Sequence, residues 1–143
     1  MIKNDEYYMN FALEEAKKAI LYDEVPVGAI IVHQDKVIAK SFNRKNLDKI
    51  ATYHAEIIAI EQACKKLDSW YLDECTLYTT VEPCMMCTGA IIQSRIKRVV
   101  YGTNNEAFGY LSKLDNHKIQ VISNILRDEC TKILSDFFKK KRI

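Results

Sequence analysis

Two short stretches constrain the fold of this chain most: His54-Ala55-Glu56, and Pro83-Cys84-Met85-Met86-Cys87, whose first cysteine lies thirty positions beyond the histidine. Cys84 and Cys87, at i and i+3, share one face of a helical turn. Pro83 fits the first helical position, where no N–H is needed. The thiols thus lie at a helix N-terminus, where unpaired N–H groups and the positive dipole end favour thiolate. His54 stands at the start of another helix. Two helices whose N-termini meet at one edge of a sheet bring this imidazole to the two sulfurs, so the rest of the chain must supply the sheet.

The remaining pattern supplies one. Residues 5–22 place Tyr8, Phe11, Ala12, Ala16, Ala19 and Ile20 at helical spacing, with Asn4 as N-cap and Asp5 and Glu6 in the first turn. The β-rich runs 27–32 and 36–42, separated by His33-Gln34-Asp35, predict a hairpin with His33 in its turn. A polar loop covers 43–50. Residues 55–67 are helical, with Ile57, Ile60, Cys64 and Leu67 on one face. Then follow a buried strand (75–81), a helix (84–94), a strand (98–102) and a short fifth strand (117–122). The final helix, 125–140, turns Leu126, Cys130, Ile133, Leu134 and Phe137 inward. Helices alternating with strands after an opening hairpin predict an α/β fold of three layers, α/β/α: a mixed five-stranded sheet with helices on both faces. A right-handed crossover through 84–94 makes 75–81 and 98–102 parallel. With no repeat or linker, residues 1–143 read as a single domain.

The five cysteines are Cys64, Cys75, Cys84, Cys87 and Cys130. The start, "MIKNDEYYMNF", lacks the basic and apolar regions of a secretory signal, and no apolar run approaches a membrane span. A cytoplasmic setting, where thiols stay reduced, is the expectation. An odd cysteine count there argues against a disulfide framework and leaves metal ligands, catalytic thiols or small buried hydrophobes. Cys64, Cys75 and Cys130 read as core. His117 has no local partner.

His54, Cys84 and Cys87 as ligands leave one tetrahedral position open, as in catalytic zinc sites, and zinc-bound water becomes hydroxide near neutral pH. Glu56 decides the reading. A structural zinc needs no carboxylate beside its histidine, whereas a hydrolytic one needs a group that carries the proton from water to the leaving group. Taken singly, His54 reads as a capping or packing residue, and Pro-Cys-x-x-Cys as half of a structural zinc knuckle. Together and in order, H-x-E…P-C-x-x-C is the signature of the zinc deaminases of nucleobases.

The resemblance extends well beyond this signature. "EVPVGAIIV" (24–32), "FNR" (42–44), "HAEIIAI" (54–60), "LYTTVEPCMMCTGAII" (77–92), "SRIKRVVYG" (94–102) and "SDFFKKKR" (135–142) resemble the bacterial tRNA adenosine deaminases of the cytidine deaminase-like superfamily. This resemblance implies a cytidine deaminase-like fold and hydrolysis of adenosine to inosine at the wobble position of a tRNA anticodon, usually that of tRNA-Arg. It implies one Zn2+ per subunit held by His54, Cys84 and Cys87, with Glu56 as proton shuttle. It further implies that Asn43 bonds the target nucleotide, that Val25 and Pro26 wall the pocket, and that the protein is a homodimer. Phe138, Lys139, Lys140, Lys141 and Arg142 offer a stacking platform beside phosphate-neutralising charge; the alternative for them is a frayed, solvated tail.

The chain departs from the family's pattern at Tyr53, usually a small residue, and at Ile50-Ala51, often Asp-Pro. It departs again in the short segment 103–115 and at Asn105, where an acid is common. Two other readings stay open: a small-molecule deaminase of cytosine or guanine in the same superfamily, and a non-enzymatic zinc protein that binds RNA.

Overall fold

The alternation of apolar and turn-forming stretches resolves into one mixed sheet with helices on both of its faces. The structure, a computed structural model, describes residues 2–141. In chain order the elements are α1 (Asp5–Leu21), β1 (Gly28–His33), β2 (Lys36–Phe42), α2 (Lys45–Asp48), α3 (Ala55–Leu67), β3 (Cys75–Val81), α4 (Met85–Gln93), β4 (Arg98–Thr103), a 3-10 turn at Leu111–Lys113, β5 (Gln120–Ile122) and α5 (Arg127–Lys141). The strands lie in the order β2-β1-β3-β4-β5. β1 is antiparallel to β2 and β3, while β3, β4 and β5 run parallel, as the crossover through α4 requires.

Side chains alternate along each strand, and the two faces carry separate cores. Ala29, Ile31, Leu77, Val99 and Tyr101 face Ala55, Ala59, Ala63 and Ile91 of α3 and α4. Ile30, Val32, Tyr78 and Val100 face Tyr8, Met9, Ala12 and Leu13 of α1 and Cys130 of α5. Leu77 and Ile91 are fully buried; truncating either to alanine costs about 2–5 kcal/mol. α1 lies very close to the sheet at Ala12 and Ala16, whose side chains are small. A Cβ on Gly28 would stand 1.9 Å from the carbonyl oxygen of Ala12, so only glycine fits there. The start of α1 is tied down twice. Asn4 Oδ1 accepts the Tyr7 N–H at 2.9 Å, and the Asp5 carboxylate accepts bonds from Arg98 on β4 at 2.8 Å and Tyr78 on β3 at 2.7 Å.

Several local expectations are corrected. His33 is the last residue of β1, paired with Lys36, and the turn is the two-residue Gln34-Asp35, both at positive φ (51° and 62°). That is the geometry whose twist suits a hairpin. The stretch 43–50 is not all loop: α2 forms within it, closed by Arg44 and Asp48 at 2.8 Å. β5 is shorter than 117–122, because pairing with β4 begins only at Gln120. α5 starts at Arg127, since Asn124 (φ 66°) and Leu126 (φ 53°) are left-handed and cannot belong to the helix. Among the described residues no helix is long and apolar enough to cross a membrane.

Candidate active site

The two helix starts that the sequence singled out meet beyond the β1 and β3 strands. His54 occupies the N-cap position of α3 and Cys84 that of α4, and neither side chain caps its own helix. Pro83 therefore stands one residue before the N-cap rather than at the first helical position, and its carbonyl oxygen accepts the Tyr110 N–H at 3.0 Å. Freed from capping, the His54 ring places Nδ1 3.6 Å from Cys84 Sγ and 3.6 Å from Cys87 Sγ. The three ligand atoms all lie within 4.8 Å of one another, and these are the only His, Cys, Asp or Glu side chains so grouped among the described residues. In a tetrahedral zinc site with Zn–N near 2.0 Å and Zn–S near 2.3 Å, nitrogen and sulfur stand about 3.6 Å apart. The donor set and its spacing fit such an ion.

The electrostatics divide the five cysteines. Among the protein groups alone, Cys84 is pulled down to about 3, first by a hydrogen bond from the Cys87 thiol and then by His54, against the cost of burial. Cys87, which gives that bond, is pushed up. The His54 ring is held above its ordinary value, chiefly by its bond to Cys84. Burial first, with nearby charges such as Asp73 and Glu129 adding to it, lifts Cys75 to about 11 and Cys130 to about 12, which keeps both as inert core thiols. Cys64 is only half-buried, with its sulfur 3.7 Å from the Trp70 carbonyl oxygen.

Glu56, two residues into the same helix start as His54, is 4% exposed. Burial raises its carboxyl to about 7, against the opposing pull of its own backbone N–H and of His54. Such a group can take up and release a proton near neutral pH.

Backbone bonds lace the surrounding loops together. The Asn43 N–H donates to the Val27 carbonyl (3.2 Å) and the Arg44 N–H to that of Tyr53 (3.0 Å). Asn43 Oδ1 accepts the Ala55 N–H at 2.8 Å, supplying from a distance the cap that His54 does not provide. Val25 is half-buried and Pro26 buried in the link between α1 and β1. Next to them, the buried Glu24 accepts the Leu47 N–H of α2.

The C-terminal group is helical as far as Lys141. Phe138 is exposed, as are Lys139 and Lys140, while Lys141 pairs with Asp23, two residues before Val25. Arg142 lies outside the described residues. Glu82 escaped the sequence reading. It is buried and accepts the backbone N–H groups of Asn105 (3.2 Å) and Ser112 (2.8 Å). Its only signal was its place beside Pro83-Cys84.

Residues 3–142 match the MafB19-like deaminases. The tRNA-specific adenosine deaminase of Bacillus subtilis (strain 168) is 40% identical over 146 aligned positions, which cover 96% of this chain and 91% of that protein. This chain belongs to the tRNA-specific adenosine deaminase family. A solved structure from work on A-to-I editing by tRNA:A34 deaminases at the wobble position of transfer RNA is 38% identical, with a TM-score of 0.86; the match covers 90% of this chain and 99% of that one. A guanine deaminase from Nitrosomonas europaea also has a TM-score of 0.86, at 28% identity, covering 96% of this chain and 86% of that one. As a member of the tRNA-specific adenosine deaminase family, the chain is a deaminase, with a His-Cys-Cys group that could hold a metal ion.

Proposed function

We propose that this chain, acting as one domain, converts adenosine to inosine at the wobble position of a tRNA anticodon, with tRNA-Arg the first candidate. One observation carries the reading: His54 Nδ1 stands 3.6 Å from each of two sulfurs, with the buried carboxylate of Glu56 on the same helix start. His54, Cys84 and Cys87 would hold Zn2+, one per subunit. When bound, zinc supplies the Lewis acidity that makes water a nucleophile near neutral pH.

The chain's own groups do the rest. Glu56 takes a proton from water and delivers it to the leaving amine, so that adenosine and water become inosine and ammonia. Because Asn43 Oδ1 is engaged by Ala55, its Nδ2 is the atom left to donate to a ring nitrogen or sugar of the target nucleotide. Val25 and Pro26 form the pocket wall. Anticodon-loop bases are single-stranded, so extruding one is cheap. Phe138, Lys139, Lys140, Lys141 and Arg142 contact the RNA, and the Lys141–Asp23 pair draws that helix end toward the pocket wall. A homodimer suits α4, where Met85, Gly89 and Ile92 (i, i+4, i+7) form an exposed apolar stripe. The cytoplasm is the compartment that fits a reduced thiol pair and a tRNA substrate.

The test is incubation with anticodon stem-loops that carry adenosine at the first anticodon position, followed by sequencing for inosine. Inosine at that base is the expected outcome. Turnover of free guanine or cytosine with no inosine in any stem-loop would replace this reading with a small-molecule deaminase, and binding of stem-loops without any turnover would leave an RNA-binding zinc protein.

A further inference from the structure

Phe108 is the most exposed aromatic ring among the described residues, 75% exposed, and it has no aromatic or cationic neighbour within stacking range. Its neighbour Gly109 forms a backbone bridge to Cys84, so the loop that carries the ring pairs directly with a residue of the candidate metal group. An isolated phenyl in water is unremarkable on a frayed loop. This loop, however, is held at every turn. The Gly109 N–H donates to the Asn105 carbonyl at 2.9 Å, and the Phe108 N–H to Asn105 Oδ1 at 3.0 Å. Asn105 in turn donates its N–H to Glu82 Oε1, and Ser112 donates to Oε2. The packing around Gly109 admits no side chain: a Cβ there would lie 2.3 Å from Glu82 Oε1 and 2.5 Å from the Asn105 carbonyl oxygen. Just past it, the Tyr110 N–H donates to the Pro83 carbonyl.

We propose that Phe108 is a specificity-determining residue: a fixed stacking platform for a nucleobase flanking the reacting adenosine, held in place by the buried carboxylate of Glu82. The inference rests on the RNA-deaminase reading above. A ring on an already ordered loop binds a base without first having to order the loop. Every base offers a π-face, so such a contact tolerates sequence variation while demanding a polynucleotide substrate. A free nucleoside has no flanking base and gains nothing from it.

The test uses full-length, metal-loaded protein and an anticodon stem-loop. Phe108→Ala and Phe108→Leu are each expected to lower kcat/KM on the stem-loop about 10-fold, the scale of one lost base–aromatic stack, and Phe108→Trp to retain it. Zinc content and unfolding midpoint stay at wild-type values. The slope of log Kd against log salt also stays unchanged, because no phosphate contact is lost. Equal kcat/KM for the wild type and Phe108→Ala overturns the proposal alone, as does full activity of Phe108→Leu, which would make the contact merely apolar. A shift from dimer to monomer in Phe108→Ala would seat the ring on a second copy and overturn it too. A wild type that deaminates no stem-loop overturns this inference and the function together.

Discussion

Two carboxylates, Asp5 in α1 and Glu56 in α3, sit in the first turn of a helix, where the positive dipole end favours the anion. Their acidities nonetheless move in opposite directions. Burial raises the Asp5 carboxyl, but the hydrogen bonds from Arg98 and Tyr78 and the charge of Arg98 together outweigh it, and Asp5 stays below 3.8. At Glu56 burial wins and the carboxyl rises to about 7. The caps differ in the same way. Asn4 caps α1 with its own side chain, whereas His54 and Cys84 hold the N-cap positions of α3 and α4 without a capping bond. One helix end is built to hold the fold. The other two give up their ordinary caps so that imidazole, thiol and carboxylate can face a common point, and Asn43 repairs α3 from outside.

The largest test of this contrast is Glu56→Gln beside Asp5→Asn. The amide keeps the shape of Glu56 but cannot carry the proton, so turnover should fall by about 10²–10⁴-fold while metal content by elemental analysis matches that of the wild type. Asp5→Asn should leave turnover unchanged. If Glu56→Gln deaminated at near wild-type rates, the raised carboxyl would be a packing feature and the two helix ends would differ only in burial.

What could be read from the sequence, and what could not, follows from the range of the interactions involved. His54, Glu56, Cys84 and Cys87 were legible because each pair is held by spacing within one turn, and both turns open helices that apolar periodicity announces. The hairpin of β1 and β2 was legible for the same local reason, from two β-rich runs a short turn apart. The remote partners were not. Nothing near Asn43 says that its Oδ1 caps a helix twelve residues on, and nothing near Glu82 says that it gathers N–H groups from Asn105 and Ser112. α2 was missed because one helical turn closed by Arg44 and Asp48 has too few residues to show a period. The start of α5 was set too early because the apolar pattern runs through Leu126, while positive φ at Asn124 and Leu126 keeps the helix from beginning before Arg127.

A smaller effect sharpens the contrast between caps. Asn4→Ala removes a self-supplied cap and should cost about 1 kcal/mol of unfolding free energy with no change in kcat/KM. Asn43→Ala removes the borrowed cap and should cost a similar amount of stability, read from urea midpoints, but on the proposed function it should also lower kcat/KM, because that reading has the same side chain bond the target nucleotide. Equal behaviour of the two variants in both measurements would mean that Asn43 does nothing but cap.

The smallest effect separates charge from shape at Asp5. Its carboxyl is held below its unfolded value of 3.8, so as pH falls through that region the unfolded chain binds the proton first. The stability this charge lends is therefore complete above about pH 4 and drains away as pH falls through the folded value. The Asp5–Arg98 pair is partly exposed, with side chains 24% and 29% accessible, which limits its worth to about 1 kcal/mol or less. Asp5→Asn should thus unfold at a lower urea concentration than the wild type near pH 7, and the gap should narrow as pH falls below 3.8, closing only once the folded carboxyl is itself protonated. A gap that showed no narrowing at all as the carboxyl was titrated to its neutral form would mean that Asp5 works through the geometry of its bonds to Arg98 and Tyr78 and not through charge. The opposite shifts of Asp5 and Glu56 would then have no counterpart in the stability of the fold.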